Sequence, residues 1–95
     1  MNVELTETAE KTFFQIISKY NDSKSAKFSN QTIATIQMIV QNNHIGSKYK
    51  KTCFRKFLIS NKVYLFYAIE KQTIYIALFW DNNRNPTELD IILSF

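Results

Sequence analysis

The hydrophobic pattern of this chain changes its period once, at about residue 52, and that change most restricts the folds open to it. Before it, apolar residues recur every three or four positions, which is the spacing of one face of a helix. After it, β-branched and aromatic runs are separated by short polar breaks, which is typical of strands joined by hairpins. The sequence therefore predicts a helical first half and a sheet in the second.

The first half opens with residues 2–5, which alternate polar and apolar side chains and predict a short strand. A helix is then predicted from Glu7 to Tyr20, capped by Thr6 or Thr8. Acidic side chains in its first turn would stabilise the helix, because they lie near the positive end of the helix dipole.

A second helix is predicted to begin at a cap on Ser23 or Ser25 and to end at residues 42–43. The short connection between the two helices predicts an antiparallel hairpin. Phe28 and Met38 lie off the predicted buried face, where they either widen it or contact a partner. That buried stripe is predicted to comprise Ala26, Ile33, Ile36, Ile39 and Val40.

The second half is predicted to contain three strands, Thr52 to Ile59, Val63 to Glu70 and Thr73 to Trp80, joined by two hairpins. A connection over residues 44–50 precedes them. Gly46, the single glycine, is expected there to adopt a backbone angle that other residues disfavour. The predicted fold is α+β in one domain of residues 1–95, with element order β-α-α-β-β-β and a helical hairpin packed on an antiparallel sheet.

The last two strands are apolar on both faces, although two helices can cover only one face of a sheet. One interpretation is that a partner protein covers the second face. The other is that residues 87–95, which are rich in Leu and Ile, fold back over it. The candidate partner-binding residues on this face are Tyr64, Phe66, Tyr75 and Phe79.

Positive charge is concentrated in one segment of a chain whose formal net charge is +4. Residues 48–56 carry five cations and no acid, which favours an anionic partner such as nucleic acid or an acidic peptide. The alternative is a solvated strand edge protected by lysines. The candidate anion-binding residues are Lys48, Lys50, Lys51, Arg55, Lys56 and, from the C-terminal region, Arg84.

The chain has one cysteine, Cys53, and one histidine, His44. No intramolecular disulfide is possible, which fits a reducing compartment, and these two residues cannot form a structural zinc site. We interpret Cys53 as a small apolar strand residue and His44 as a cap at a helix end. No apolar run approaches the roughly 18 residues of a membrane span. We expect a cytoplasmic protein with no membrane, metal or cofactor.

Two stretches of this sequence resemble the RelE/ParE toxin superfamily. The first is residues 3–10 (VELTETAE), which is similar to that family's opening strand and helix start. The second comprises residues 57–59, 63–69 and 74–81, followed by Asn85-Pro86, which are similar to the family's closing meander. The resemblance implies a toxin neutralised by a cognate antitoxin. It also implies a target that is either messenger RNA on the ribosome or DNA gyrase.

The chain departs from the family pattern in its basic residues. The family's arginine at the end of the last strand corresponds to Asn83, and Arg84 follows one residue later. The nuclease branch places an arginine on the middle strand and a histidine or tyrosine near the C-terminus. This chain has neither, so it resembles the ParE side more closely. Gyrase binding is therefore the first hypothesis. A ribosome-dependent mRNA endonuclease is the second, and a non-toxic remnant or interaction domain is the third.

The catalytic residues of an endonuclease cannot be assigned from this sequence, and Lys51, Arg55 and Arg84 are the weak candidates. Metal-free RNA cleavage needs a proton acceptor, a proton donor and cations on the phosphate. A lysine acts as the base only if neighbouring cations depress its pKa strongly. Trp80 has two interpretations, a platform for bases or a core residue of the sheet. Asp81 is predicted to cap a turn.

Overall fold

The computed structural model describes residues 1–94, and Phe95, which belongs to the C-terminal segment expected to fold back, lies outside the described residues. The predicted α+β fold is confirmed, with a second short strand and a C-terminal helix in addition. The elements in chain order are β1 (Asn2–Leu5), α1 (Glu7–Ile17), α2 (Asp22–Gln41), β2 (Ser47–Lys48), β3 (Arg55–Ser60), β4 (Val63–Glu70), β5 (Thr73–Asp81) and α3 (Pro86–Ile92).

The strands form one five-stranded sheet in the order β1-β5-β4-β3-β2. The predicted meander is confirmed, since β3, β4 and β5 pair antiparallel. Strand β1 pairs parallel with β5, so the opening strand lies at the far edge of the sheet. Both α1 and α2 pack on one face of the sheet, α1 chiefly against β5 and α2 against β3.

Helix α1 is capped by Thr6, whose hydroxyl oxygen accepts a hydrogen bond from the backbone N–H of Ala9 at 3.0 Å. The helix ends at Ile17, three residues before the predicted end at Tyr20. Residues 18–20 continue as a tighter turn, in which the Tyr20 N–H bonds the Ile17 carbonyl at 3.0 Å. The sequence pattern continued because Tyr20 packs on the same core as the helix.

Helix α2 is capped by Asn21, not by Ser23 or Ser25: the Asn21 side chain accepts from the Lys24 N–H at 2.8 Å. The predicted buried stripe was also wrong in part. Ile39 is buried and Ile36 is half-buried, but the other three members of that stripe are exposed. The buried positions of α2 are Phe28, Thr32, Thr35 and Ile39, and the exposed ones include Ala26, Ile33, Met38 and Val40.

A β-bulge at Ala77 changes which side chains of β5 share a face. Phe66 pairs with Leu78, but the next residue, Tyr67, pairs with Ile76, so Ala77 is the extra residue. Beyond the bulge the alternation is reversed. Phe79, expected on the second face, therefore lies in the core under the helices.

The sheet separates two cores. The first lies under α1 and α2 and includes Tyr67, Ile74, Ile76 and Phe79. The second lies under α3, which confirms that the C-terminal segment folds back over the second face. Its buried members are Tyr49, Phe66, Leu78, Trp80, Leu89 and Leu93.

Candidate anion-binding face

Strand pairing places a cation between aromatic rings on the α3 side of the sheet. Lys56 pairs with Phe66, and Tyr64 pairs with Trp80, so all four side chains lie on the same face. The Lys56 ammonium is 4.9 Å from the centre of the Tyr64 ring and 5.9 Å from that of Tyr49. Both distances are within the range of cation–π attraction.

Arg84 lies over the adjacent end of the same face, in spite of its shift by one residue from the family pattern. Its guanidinium carbon is 4.6 Å from the Trp80 ring centre, and its Nη2 donates to Glu88 at 2.8 Å. Trp80 is 2% exposed and is therefore a core residue, not a platform for bases. The residues Tyr49, Lys56, Tyr64, Trp80 and Arg84 are called here the cation–aromatic face.

A hydrogen-bonded group joins this face to α3. The Tyr49 hydroxyl donates to Asp90 Oδ1 at 2.6 Å, and the Lys50 ammonium donates to both oxygens of Asp90 at 2.9 and 2.8 Å. Lys50 and Tyr49 together lower the pKa of the Asp90 carboxyl, and Asp90 raises the pKa of Lys50. Burial, with a contribution from Asp90, raises the pKa of the Tyr49 hydroxyl. The group therefore holds α3 to the segment before β3 with Asp90 ionised.

We expect acid to loosen α3 through Asp90. Because the pKa of Asp90 is lower in the folded protein, its contribution to stability is complete above the unfolded-state value of about 3.9 and is lost as the pH falls through the folded-state value. Emission from Trp80, the single tryptophan, should therefore shift to longer wavelength below about pH 4. Asp90→Asn should remove this dependence, whereas Asp22→Asn, on α2, should keep it. Identical acid profiles for wild type and Asp90→Asn would contradict the expectation.

Arg55 lies on the opposite side of the sheet from Lys56. It pairs with Tyr67 on the helix side, and its Nη1 donates to the carbonyl of Gly46 at 2.7 Å and to that of His44 at 3.5 Å. These bonds hold the connection after α2 against β3. Arg55 therefore stabilises the connection and does not join the cation–aromatic face.

The basic segment does not form one patch. Lys48 pairs with Arg55 and shares its side of the sheet, whereas Lys50 is bound to Asp90. Lys51 is exposed in the turn before β3, in a shallow cleft with Cys53 and Leu93. The structure thus brings Lys56 and Arg84 to one aromatic surface, and it places Lys50 at the edge of that surface, 5.2 Å from the Tyr49 ring centre and bound to Asp90.

Three interpretations of single residues need correction. Cys53 is exposed in the turn before β3 and is not a strand residue. His44 does not cap α2: Asn42 is the C-cap residue, and the Asn43 side chain donates to the Ile39 carbonyl at 2.8 Å. Gly46 has no left-handed backbone, which is adopted by Lys50 and Lys71 instead.

The residues expected to bind a partner differ in how much surface they offer. Phe66 and Phe79 are each 1% exposed, so neither presents surface to a partner. Tyr64 and Tyr75 are half-buried. Leu58 is 47% exposed and pairs with Tyr64, which places an apolar side chain next to the cation–aromatic face. The sequence could have indicated this position of Leu58, because Lys56 and Leu58 are two residues apart in β3 and therefore share a face.

The chemistry available at this face is the binding of anions beside aromatic rings. Among residues 1–94, no group of three or more His, Cys, Asp or Glu side chains is placed to hold a metal ion. Over the same residues, no helix is both long enough and apolar enough to cross a membrane.

The fold of this chain is shared with two solved structures. The structure is similar to the crystal structure of a copper-bound mutant toxin from Helicobacter pylori, with a TM-score of 0.60 and 18% identity, over 87% of this chain and 96% of that chain. It is also similar to the solution structure of a conserved hypothetical protein from the same organism, with a TM-score of 0.54 and 14% identity, over 88% and 97% of the two chains. At these identities the likeness establishes the shared fold. No family model and no curated protein matches the sequence.

Proposed function

We propose that this protein is the toxin of a type II toxin–antitoxin pair and that it arrests growth by acting on RNA at the ribosome. The observation that carries the proposal is the cation–aromatic face, where Lys56 and Arg84 lie over tyrosine and tryptophan rings. The cations suit the phosphates of single-stranded RNA, and the half-buried Tyr64 ring can contact one of its unpaired bases. The toxin fold supports the first part of the proposal.

Binding to DNA gyrase is the second candidate, and two observations favour it. Strand β4 contains no arginine, and residues 86–94 contain no histidine or tyrosine that could serve as a proton donor. Leu58, which is 47% exposed beside Tyr64, offers apolar surface to a protein. However, α3 covers the apolar second face, which was one of the two reasons for expecting a protein target, so we place RNA ahead of gyrase.

A cognate antitoxin is the proposed partner in the resting cell. An acidic segment with apolar anchors fits the surface formed by Lys56, Leu58 and Tyr64, since it would neutralise the cation and cover the exposed leucine. Tyr75, half-buried on the same side of the sheet, is a candidate for a more distant contact. A bound antitoxin would therefore exclude RNA from the cation–aromatic face.

The test is expression of the wild type and of Lys56→Gln/Arg84→Gln in cells, followed by growth curves and primer extension on cellular mRNA. The wild type should stop growth and cut mRNA. The double variant should bind single-stranded RNA about tenfold more weakly, with a salt slope reduced by about 1.4, because each lost phosphate contact accounts for about 0.7. Growth should recover accordingly.

The matched control is Lys48→Gln/Lys71→Gln, which removes the same charge on the Arg55 side of the sheet and in the turn between β4 and β5. It should leave growth arrest unchanged. Arrested growth with intact mRNA and blocked DNA replication would identify gyrase as the target instead. Normal growth under strong induction of the wild type, without an antitoxin, would support a non-toxic remnant or interaction domain.

A further inference from the structure

A second cationic surface lies in a groove that the cation–aromatic face does not include. The groove has a volume of about 780 Å³ and runs between the first half of α2 and the turn that joins β3 to β4. Lys24 and Lys27 line it from α2, and Lys62 lines it from the turn. The spacing of these lysines in the sequence gave no sign that they meet, because Lys62 follows Lys27 by 35 positions.

The lysines give this groove a positive charge that can interact with a bound anion. None of its three lysines belongs to an ion pair found within residues 1–94. Asp81 is the one carboxylate in the lining, and it is engaged locally, since its Oδ1 accepts from the Asn83 N–H at 3.0 Å. An anion entering the groove would therefore meet three ammonium groups and one carboxylate, so that the positive charge is in excess.

The floor of the groove is apolar and aromatic. Phe28 and Val63 are each 2% exposed and form its base. Tyr20 lies at its end, with the Lys24 ammonium 4.3 Å from the ring centre. Amide and hydroxyl side chains from Asn21, Gln31 and Ser60 complete the walls. The three lysines offer charge to a phosphodiester chain, and Tyr20, which is half-buried, is the ring that a base could contact.

The groove lies on the helix side of the sheet and the cation–aromatic face on the opposite side, and both reach the same end of β4 and β5. Lys62 accepts a backbone hydrogen bond from Asn82 at 2.7 Å, and the next pair along the strands is Val63 with Asp81. The pair after that is Tyr64 with Trp80, which belongs to the face. Val63 in the groove and Tyr64 on the face are neighbours in β4 whose side chains point to opposite sides, so a nucleic acid strand would pass from one to the other around the turn that joins β3 to β4.

We propose that this groove binds a second stretch of single-stranded nucleic acid backbone, which continues from the strand held on the cation–aromatic face. The inference rests on the proposed function, because it makes the groove an extension of the same RNA-binding surface. The shared chemistry is a phosphodiester chain, whose source is either the messenger RNA or an exposed strand of ribosomal RNA.

The experiment measures the binding of fluorescent oligouridylates of about 4 and about 16 nucleotides, a range that spans known site sizes on single-strand-binding folds. The groove variant is Lys24→Gln/Lys27→Gln/Lys62→Gln, and Lys11→Gln/Lys48→Gln/Lys71→Gln is the control of equal charge. For the longer oligonucleotide, the groove variant should raise the Kd about tenfold and reduce the salt slope by about 2. The shorter one should fit on the face alone and lose little affinity.

The two sources are separated by sedimentation with ribosomes. If ribosomal RNA occupies the groove, the groove variant should bind vacant ribosomes more weakly than the wild type does. If messenger RNA occupies it, the loss should appear only with ribosomes that carry mRNA.

Several outcomes overturn the inference while leaving the proposed function standing. One is that the groove variant and the wild type bind the longer oligonucleotide alike, while Lys56→Gln/Arg84→Gln weakens that binding. Another is that the control of equal charge weakens it as much as the groove variant does. A third is that the groove variant loses binding to polyglutamate or to an antitoxin but not to RNA, which would make the groove a site for an acidic protein. If instead the groove variant loses RNA binding and growth arrest is unaffected, the groove binds RNA as inferred, but the proposed function is contradicted, because arrest does not depend on RNA.

Discussion

Replacing Gly46 by alanine is expected to lower the free energy of unfolding by about 3 kcal/mol, which combines overpacking with the loss of a buried hydrogen bond. A Cβ at this position would lie 2.8 Å from Tyr67 Cε1, 2.9 Å from the Lys56 carbonyl oxygen and 2.9 Å from the Tyr67 hydroxyl. The Lys56 carbonyl is backbone, and Tyr67 is completely buried, so neither can move easily. The Tyr67 hydroxyl also accepts from the Gly46 N–H at 3.0 Å and donates to the Asn43 carbonyl at 2.8 Å.

Thermal unfolding followed by circular dichroism measures this effect, and a loss of about 3 kcal/mol corresponds to about 12–24 °C in a domain of this size. Ser47→Ala, at the exposed neighbouring position, should change the stability by less than about 0.5 kcal/mol. A double-mutant cycle with Tyr67→Leu tests the cause, because a shorter side chain makes room for the Cβ. If the two losses simply add, the contact with Tyr67 is not the reason for the glycine.

The strands of the second half could be predicted from the sequence because their signals are local. Strand β4 has the predicted bounds, Val63 to Glu70, and β5 exceeds its prediction by one residue. Both are runs of β-branched and aromatic residues, and short polar breaks fix the hairpins between them. These features depend on neighbours within a few positions, so no knowledge of the packing is needed to recognise them.

The faces of β5 could not be predicted because they depend on the bulge at Ala77. Alternation assigned Phe79 to the same side as Tyr75, but the extra residue places Phe79 in the core under the helices. Part of the reason lies 67 positions away, where the Thr12 hydroxyl accepts a hydrogen bond from the Phe79 N–H at 2.9 Å. Contacts between residues so far apart in the chain cannot be predicted from the hydrophobic periodicity of a strand.

The buried face of α2 was mistaken for a related reason. Threonine counts as polar in a hydrophobic pattern, yet Thr32 is buried because its hydroxyl donates to the Phe28 carbonyl at 2.9 Å. Ile33, one position later, is 55% exposed, although isoleucine is among the most often buried residues. Composition therefore indicated how many apolar residues the helix has, but not which of them face the sheet.

The candidate site was predicted in part. Lys56 and Arg84 were among the cations chosen from the sequence, and both lie on the cation–aromatic face. Arg55 was chosen with Lys56, yet neighbouring strand residues point to opposite faces, and that rule already separated them. The bond from Tyr49 to Asp90 joins residues 41 positions apart and could not be foreseen.

Replacing Leu89 by aspartate is expected to detach α3 from the sheet. Leu89 is 4% exposed and packs with Phe66, Leu78 and Trp80, so the variant places a carboxylate in an apolar core with no partner for it. Loss of the leucine contacts alone costs about 2–5 kcal/mol. A helix of seven residues is not stable in water without tertiary packing, so α3 should unfold as it detaches.

The measurement is the emission of Trp80, which is 2% exposed in the folded protein, together with its quenching by acrylamide. The Leu89→Asp variant should emit at longer wavelength and be quenched as readily as an exposed indole, and it should aggregate through the uncovered sheet face. Ile91→Asp is the matched control, because Ile91 lies on the same helix and is 62% exposed. If both variants keep the wild-type emission, α3 does not cover Trp80 in solution. The second face of the sheet would then be open, and the argument that ranks RNA above a protein target would lose its basis.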